Sequence, residues 1–423
     1  MADVAVFTIG CKVNQAESDE LRAGLLKAGH GIVSEPAAAD LCVVNTCTVT
    51  AESDRKCRKL VRWLEKRGAE AIVVAGCYAD VSPGDLAALP GVVRVLPNTR
   101  KDDWLREITS LLPGGAKGST PPEPRRTRAF IKVQDGCERG CSYCIVPLAR
   151  GKERSRAVEE IMGEATRYLG TGISELVLCG INLGRYSQGP GRELGYLVHE
   201  VLSAGEGFRV RLSSIELEDL RMEWLEGWAA SGRVCPHLHL PLQSGDEAIL
   251  RDMGRGYRPG DFTAAAGALR ATWPRAALTT EVIVGYPGES EAAFRRTVEV
   301  LEETRPARIH VFRFSRRPGT RAWGRTDTVA PGEMERRSER IRTLAEELRL
   351  GYIEERKGEL RNLLVERLVE NNGAATALGT TEDYIKGIIY ELPIGTEPGR
   401  ILTAEICGVH GGRAYLKAVV RES

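Results

Sequence analysis

The chain has 423 residues, 42% of them hydrophobic and 28% charged, with a formal net charge of +1. This length exceeds one ordinary core and implies two or three domains, and a balance so near neutral neither invites nor excludes a nucleic-acid partner. No run approaches the ~20 apolar residues of a membrane span and no secretory pattern opens the chain, so its eleven cysteines read as metal-binding or catalytic thiols in the cytoplasm.

Three short hydrophobic runs come first, VAVFTIGC, LCVVNTC and AIVVAGC, ending on Cys11, Cys47 and Cys77. ESDELRAGLLKAG and ESDRKCRKLVRWLEKRG between them carry helical periodicity. Strands alternating with helices imply an N-terminal parallel α/β domain. Carboxyl ends of parallel strands gather at one edge, where ligands bind, so the three cysteines should converge. A lone cysteine there would be an ordinary core residue; three at equivalent places read as shared ligands.

LLPGGAKGSTPPEPRRTR, residues 111–128, is rich in Pro and Gly and reads as a linker. Six strand-like runs follow, AFIKVQDG, ELVLCGIN, RVRLSSI, HLHLPLQ, LTTEVIVGYP and RIHVFRFS, separated by helical patterns. Six sequential strand-plus-helix units suggest a partial (β/α)6 barrel with its functional loops at the strands' carboxyl ends. Beyond about residue 353, short alternating runs broken by Gly, Asn or Pro read as a small antiparallel β-barrel. The expected domains are therefore 1–122, 123–352 and 353–423.

GCERGCSYCIVP lies just after the first barrel strand and holds Cys137, Cys141 and Cys144 in a C-x3-C-x2-C spacing. That spacing suits a 4Fe–4S cube held through three of its irons. Zinc is the alternative and needs a fourth ligand, yet no His or Cys follows until Cys179. An iron without a thiolate is open to a small molecule.

This run resembles the signature of the radical S-adenosylmethionine (SAM) enzymes, in which the amino and carboxylate groups of SAM chelate the fourth iron. TIGCKVNQAES, VVNTCTVT, VAGCYA, DGCERGCSYCIVPLARG, HLPLQSGD, EVIVGYPGES and FSRRPGTRAW together resemble the methylthiotransferase family of radical SAM enzymes. The resemblance implies two 4Fe–4S clusters: a radical cluster on Cys137, Cys141 and Cys144, and an auxiliary one on Cys11, Cys47 and Cys77. It also implies a C-terminal RNA-binding barrel of the TRAM type. GCKVNQ followed by NTCTVT resembles the branch acting on tRNA that carries N6-threonylcarbamoyladenosine at position 37, in the anticodon stem-loop. Sister branches act on isopentenyladenosine in tRNA or on an aspartate of ribosomal protein S12. The implied chemistry removes hydrogen from adenine C2 with a deoxyadenosyl radical and inserts a methylthio group built at the auxiliary cluster. A reduced flavodoxin or ferredoxin and a sulfur donor are the implied partners, with no membrane.

Tyr143 matches the aromatic position of the signature, or is a packed aromatic. Gly180, Asn182, Ile283, Gly285 and Glu289 sit on strand-end segments expected to face SAM, since Gly admits backbone close to a ligand. Glu216, Gln243 and Ser244 are candidate SAM or substrate contacts, or polar residues of the rim. Glu281 stands where the family more often has Asp. No catalytic residue beyond the cluster ligands is expected. Six arginines and no acid occupy 308–325, interleaved with Phe312, Phe314 and Trp323, and residues 125–156 carry nine basic groups against three acidic. Such patches suit phosphates and stacked bases, which marks Arg313, Arg316, Arg317 and Arg321 as RNA contacts, with a solvated face as the alternative. The C-terminal barrel is balanced, with eight basic and nine acidic residues over 357–423. Cys57 reads as an inert helix cysteine, and Cys42, Cys179, Cys235 and Cys407 as packing. A non-catalytic metal-binding RNA-binding protein is the rival of a different class.

Overall fold

The computed structural model describes residues 2–112, 127–371 and 374–419. Most of the expected linker, with the boundary at 122, lies outside the described residues. The chain packs as two compact units. The first joins the N-terminal segment to Gln134–Arg154 and Ser315–Gly324; the second contains Ser155–Phe314 and the C-terminal portion.

In the first unit, β1 (Asp3–Thr8), β2 (Gly31–Val33), β3 (Leu41–Thr46), β4 (Ile72–Gly76) and β5 (Val92–Pro97) form one parallel sheet in the order β2-β1-β3-β4-β5. β3 and β4 are wholly buried, as parallel strands covered on both faces must be. Two edge strands escaped the sequence pattern. β2 has only three residues, and β5 exposes Val93 and Arg94, the charged, half-wet texture of a sheet edge. Helices α1 (Lys12–Lys27) and α2 (Ala51–Lys66) are the expected crossovers; α2 starts on Thr50, whose hydroxyl accepts from the Ser53 amide at 3.1 Å.

The second unit contains six further parallel strands: β6 (Ala129–Lys132), β7 (Glu175–Cys179), β8 (Arg209–Leu212), β9 (His237–His239), β10 (Ala277–Val284) and β11 (Arg308–Arg313). All neighbours are parallel, in two three-stranded ladders, β6-β7-β8 and β9-β10-β11, with a single bridge from Val210 to Val234 between them. A core of Leu, Val and Ile fills the interior side of the flanking helices.

After the long helix α3 (Pro331–Glu354), five strands close into a small barrel: β12 (Leu360–Asn371), β13 (Ala374–Thr381), β14 (Lys386–Ile389), β15 (Ile401–His410) and β16 (Arg413–Ala418). The run ATALGTTEDYIKGIIY forms two of these strands, with the turn at Tyr384, whose φ of +70° lies in the left-handed region. A buried ion cluster ties this barrel to the amino ends of β7 and β8. Glu175 accepts from Arg211 at 3.0 Å and pairs with Arg209 at 2.7 Å, while Arg211 also donates to the carbonyls of Thr381 and Glu382, each at 3.0 Å. Among the described residues no helix is long and apolar enough to cross a membrane.

Candidate metal centres

Strand register brings the N-terminal cysteines together. Thr8 pairs with Asn45 and Asn45 with Ala75, so three adjacent strands end almost abreast. Cys11 follows that row by three residues, Cys47 and Cys77 by two. Strands about 4.8 Å apart then bring all three cysteines to the sheet's carboxyl edge, around β1 and β3, where strand order reverses. Burial pushes the Cys77 thiol up to about 12, and raises Cys47 too, with neighbouring Cys11 adding to the rise. Such thiols stay protonated at neutral pH and give up their protons to a metal.

Backbone and amide side chains shape this edge. Gly10 has φ +138°, and a Cβ there would lie 2.9 Å from Cβ of Cys47. Gly76, at φ +100°, would drive one to 2.6 Å from the Thr46 carbonyl. Only glycine fits these two places. Asn14 of GCKVNQ accepts from the backbone N–H and the thiol of Cys11, both at 3.3 Å, and donates to Asn45 of VVNTC at 3.0 Å. Asn45 in turn donates to the Asn14 carbonyl at 3.0 Å. These amides hold the loops that carry Cys11 and Cys47 in place. The sequence reading passed over both, although each lies inside a quoted motif.

Cys137, Cys141 and Cys144 occupy a half-buried loop with Tyr143, and this loop packs in the first unit. The Cys137 amide donates to the Gly151 carbonyl at 3.2 Å and the Cys144 amide to the Cys141 carbonyl at 3.1 Å. Arg150, six residues beyond Cys144, is buried and bidentate on Glu17 of α1, at 2.9 and 3.1 Å, and reaches Asp135 at 3.0 Å. Burial opposes its charge, but the Glu17 carboxylate beside it keeps it protonated. Among the described residues no three His, Cys, Asp or Glu side chains are drawn together tightly enough to hold a single metal ion. Cys57 is fully buried, its thiol donating to the Cys47 carbonyl at 3.5 Å, and burial pushes it up to about 12. Cys42, Cys179 and Cys235 are buried, and Cys407 half-buried.

In the second unit the remaining candidates lie on segments after barrel strands. The Gly180 amide donates to Ser213 at 3.4 Å and Asn182 is buried. Glu216 is ion-paired with Arg255. Gln243 is buried with φ +62° and donates to Glu281 at 2.9 Å. Burial alone would raise Glu281, yet His239, 3.6 Å away, and Gln243 hold its carboxyl below the ordinary value. Ser244 accepts from the Asp246 amide at 3.2 Å. Ile283 follows in β10, and the Gly285 amide donates to Glu289 at 2.7 Å. Burial raises Glu289, whose carboxylate also takes Arg337 of α3 at 2.8 Å; it shapes the Gly285–Glu289 turn from beneath.

The arginines divide. Arg313, Arg316 and Arg321 are exposed, Arg313 against Glu335 and Arg321 donating to the Gly140 carbonyl at 2.8 Å. Phe312 and Trp323 are exposed as well. Arg317 departs from the expected RNA contact. It is 4% exposed and donates to Thr48 and Asp54, each at 2.7 Å, so its charge is spent inside the first unit.

Parallel strands and a C-x3-C-x2-C loop suit a radical SAM protein, and residues 131–301 match the family model described as the radical SAM superfamily. Residues 3–96 match the model described as uncharacterised protein family UPF0004. The fold is similar to that of a radical S-adenosylmethionine methyltransferase from Kitasatospora setae, with a TM-score of 0.57 at 15% identity, over 76% of this chain and 75% of that one. The threonylcarbamoyladenosine tRNA methylthiotransferase of Thermotoga maritima is 36% identical, covering 91% of each chain. Its Bacillus subtilis namesake is 33% identical over 96% of this chain and 94% of its own. A tRNA-2-methylthio-N6-dimethylallyladenosine synthase of Geotalea uraniireducens is 32% identical over 85% and 86%. The chain belongs to the radical SAM methylthiotransferase family.

Proposed function

We propose that this enzyme adds a methylthio group to C2 of N6-threonylcarbamoyladenosine at position 37 of tRNA, giving 2-methylthio-N6-threonylcarbamoyladenosine. The observation that carries the reading is the second cysteine trio. Cys11, Cys47 and Cys77 follow adjacent strands in a chain that already holds a radical SAM loop, and Gly10 and Gly76 let the loops of Cys11, Cys47 and Cys77 pack closely at that edge. The substrate is supported by the whole-length likeness to threonylcarbamoyladenosine enzymes, at up to 36% identity, against 32% for the dimethylallyladenosine type.

On this reading residues 1–122 form the auxiliary-cluster domain, 123–352 a partial (β/α)6 radical SAM core and 353–423 a TRAM-like RNA-binding barrel. Cys137, Cys141 and Cys144 hold one 4Fe–4S cluster, and the three N-terminal cysteines hold the other. When bound, the clusters and SAM supply hydrogen abstraction and sulfur. Tyr143, Gly180, Asn182, Glu216, Gln243, Ser244, Ile283, Gly285 and Glu289 orient SAM and shield it from water, and Glu281 fixes the Gln243 side chain. The exposed Arg313, Arg316 and Arg321 meet RNA. A reduced flavodoxin or ferredoxin and a sulfur donor complete the system, in the cytoplasm. Anaerobically reconstituted enzyme, given SAM, reductant and tRNA, should yield the methylthio nucleoside by mass spectrometry. Sulfur on S12 peptide or on isopentenyladenosine instead moves the chain to a sister branch, and stoichiometric zinc with no SAM cleavage makes it a non-catalytic RNA-binding protein.

A further inference from the structure

Segment 315–324 was expected at an RNA surface, yet it grips both cysteine regions of the first unit. At one end Ser315 accepts from the Ala51 amide at 2.9 Å, and Arg317 clamps Thr48, the residue after Cys47, together with Asp54. At the other end Arg321 donates to the Gly140 carbonyl and the Ala322 amide to the Ser142 carbonyl, both at 2.8 Å and both flanking Cys141. A second link runs beneath. Asp135, two residues before Cys137, and Arg150 after Cys144 share a buried network with Glu17 and Lys101. Glu17 lies on α1, the helix that Cys11 caps. Both ties are buried and charge-assisted, and each spans more than a hundred residues of sequence.

We infer that Arg317 and Arg150 are positioning residues that fix the spacing between the two cysteine trios, so that hydrogen abstraction and sulfur insertion act on one substrate carbon. The inference rests on the proposed function for its consequence, though not for its geometry. Neither arginine touches a reacting atom. Arg150 uses both terminal nitrogens on Glu17, a fork that a lysine ammonium cannot reproduce, whereas Arg317 serves Thr48 and Asp54 from one nitrogen. A shift of an ångström between reacting groups costs about a hundredfold in rate.

The test compares wild type with Arg317→Met, Arg317→Lys and Arg150→Met, each reconstituted with iron and sulfide. Asp54→Asn and Glu17→Gln serve as milder lesions of the same bonds should a methionine variant fail to fold. Iron content should stay at two clusters and SAM cleavage should persist, while methylthio product per deoxyadenosine falls about tenfold to a hundredfold. Arg317→Lys should recover part of that loss. In the doubly reduced protein, the spin–spin broadening between clusters seen by electron paramagnetic resonance should change. Unchanged broadening with unchanged product per deoxyadenosine overturns the inference. A matched fall in SAM cleavage and product with unchanged broadening also overturns it, because that is a structural lesion only. If wild type makes no methylthio nucleoside, the proposed function fails, and the broadening still decides whether the arginines set the spacing.

Discussion

Asn14 and Asn45 lock together across the carboxyl edge of the N-terminal sheet, each side-chain amide donating to the other residue at 3.0 Å. The bond ties the loop of Cys11 to the strand that delivers Cys47. Asn14→Ala leaves the Cys11 amide and Asn45 with lost partners in a buried place, at a cost of about 1–3 kcal/mol. The auxiliary trio should then bind iron about ten- to a hundredfold more weakly. Iron titration of a chain lacking the other trio checks this, and wild-type affinity would refute the role assigned to Asn14.

The two trios sit on different supports, strand ends for one and a hairpin-like loop for the other, so each should load alone. Cys141→Ala should end deoxyadenosine formation and leave about half of the iron, since each cluster relies on its own three thiolates. A triple Ala variant at Cys11, Cys47 and Cys77 should lose the other half, still cleave SAM and insert no sulfur. Deoxyadenosine from the Cys141→Ala protein would sink the assignment.

Glu175 links the radical SAM barrel to the C-terminal barrel. Burial pushes its carboxyl up, but Arg211, Arg209 and Arg128 outweigh that and hold it far below the carboxylate range. A depressed folded value means that the pairing stabilises at every pH above the unfolded value of about 4.3, and the contribution is lost as pH falls from there through the folded value. Glu175→Gln strands buried arginines and should cost about 3–5 kcal/mol at pH 7, with the gap from wild type narrowing below about pH 4. Denaturant midpoints across that range decide it, and equal stability at pH 7 would rule out the ion cluster as a support.

The cysteine edge was legible because hydrophobic runs and their ends are local features, and β1, β3 and β4 fall where VAVFT, LCVVNT and IVVAG run. What the sequence hid is non-local. Arg317 meets Asp54 across 263 residues and Arg150 meets Glu17 across 133, so a cationic run looked like an RNA surface while one of its members was spent inside. The same blindness placed the radical loop with the barrel strands that flank it in sequence, although it packs with the N-terminal sheet.

Substrate choice should depend on charge at the modified base. The threonylcarbamoyl group carries a carboxylate, whereas the isopentenyl group is apolar. Arg317 is committed to Asp54, and the exposed arginines of this stretch are Arg313, Arg316 and Arg321. A guanidinium that pairs bidentately with a carboxylate away from water is worth about 2–5 kcal/mol when lost. The enzyme should therefore favour tRNA bearing threonylcarbamoyladenosine over bare adenosine or isopentenyladenosine by about tenfold or more, at ~1.4 kcal/mol per decade. Competition among the three tRNAs measures this directly. Arg316→Ala should erode the preference while leaving SAM cleavage in place, because that residue lies outside both cysteine trios. Equal turnover of isopentenyladenosine tRNA by the unaltered enzyme would refute a carboxylate-reading site and leave base identity to the shape of the pocket.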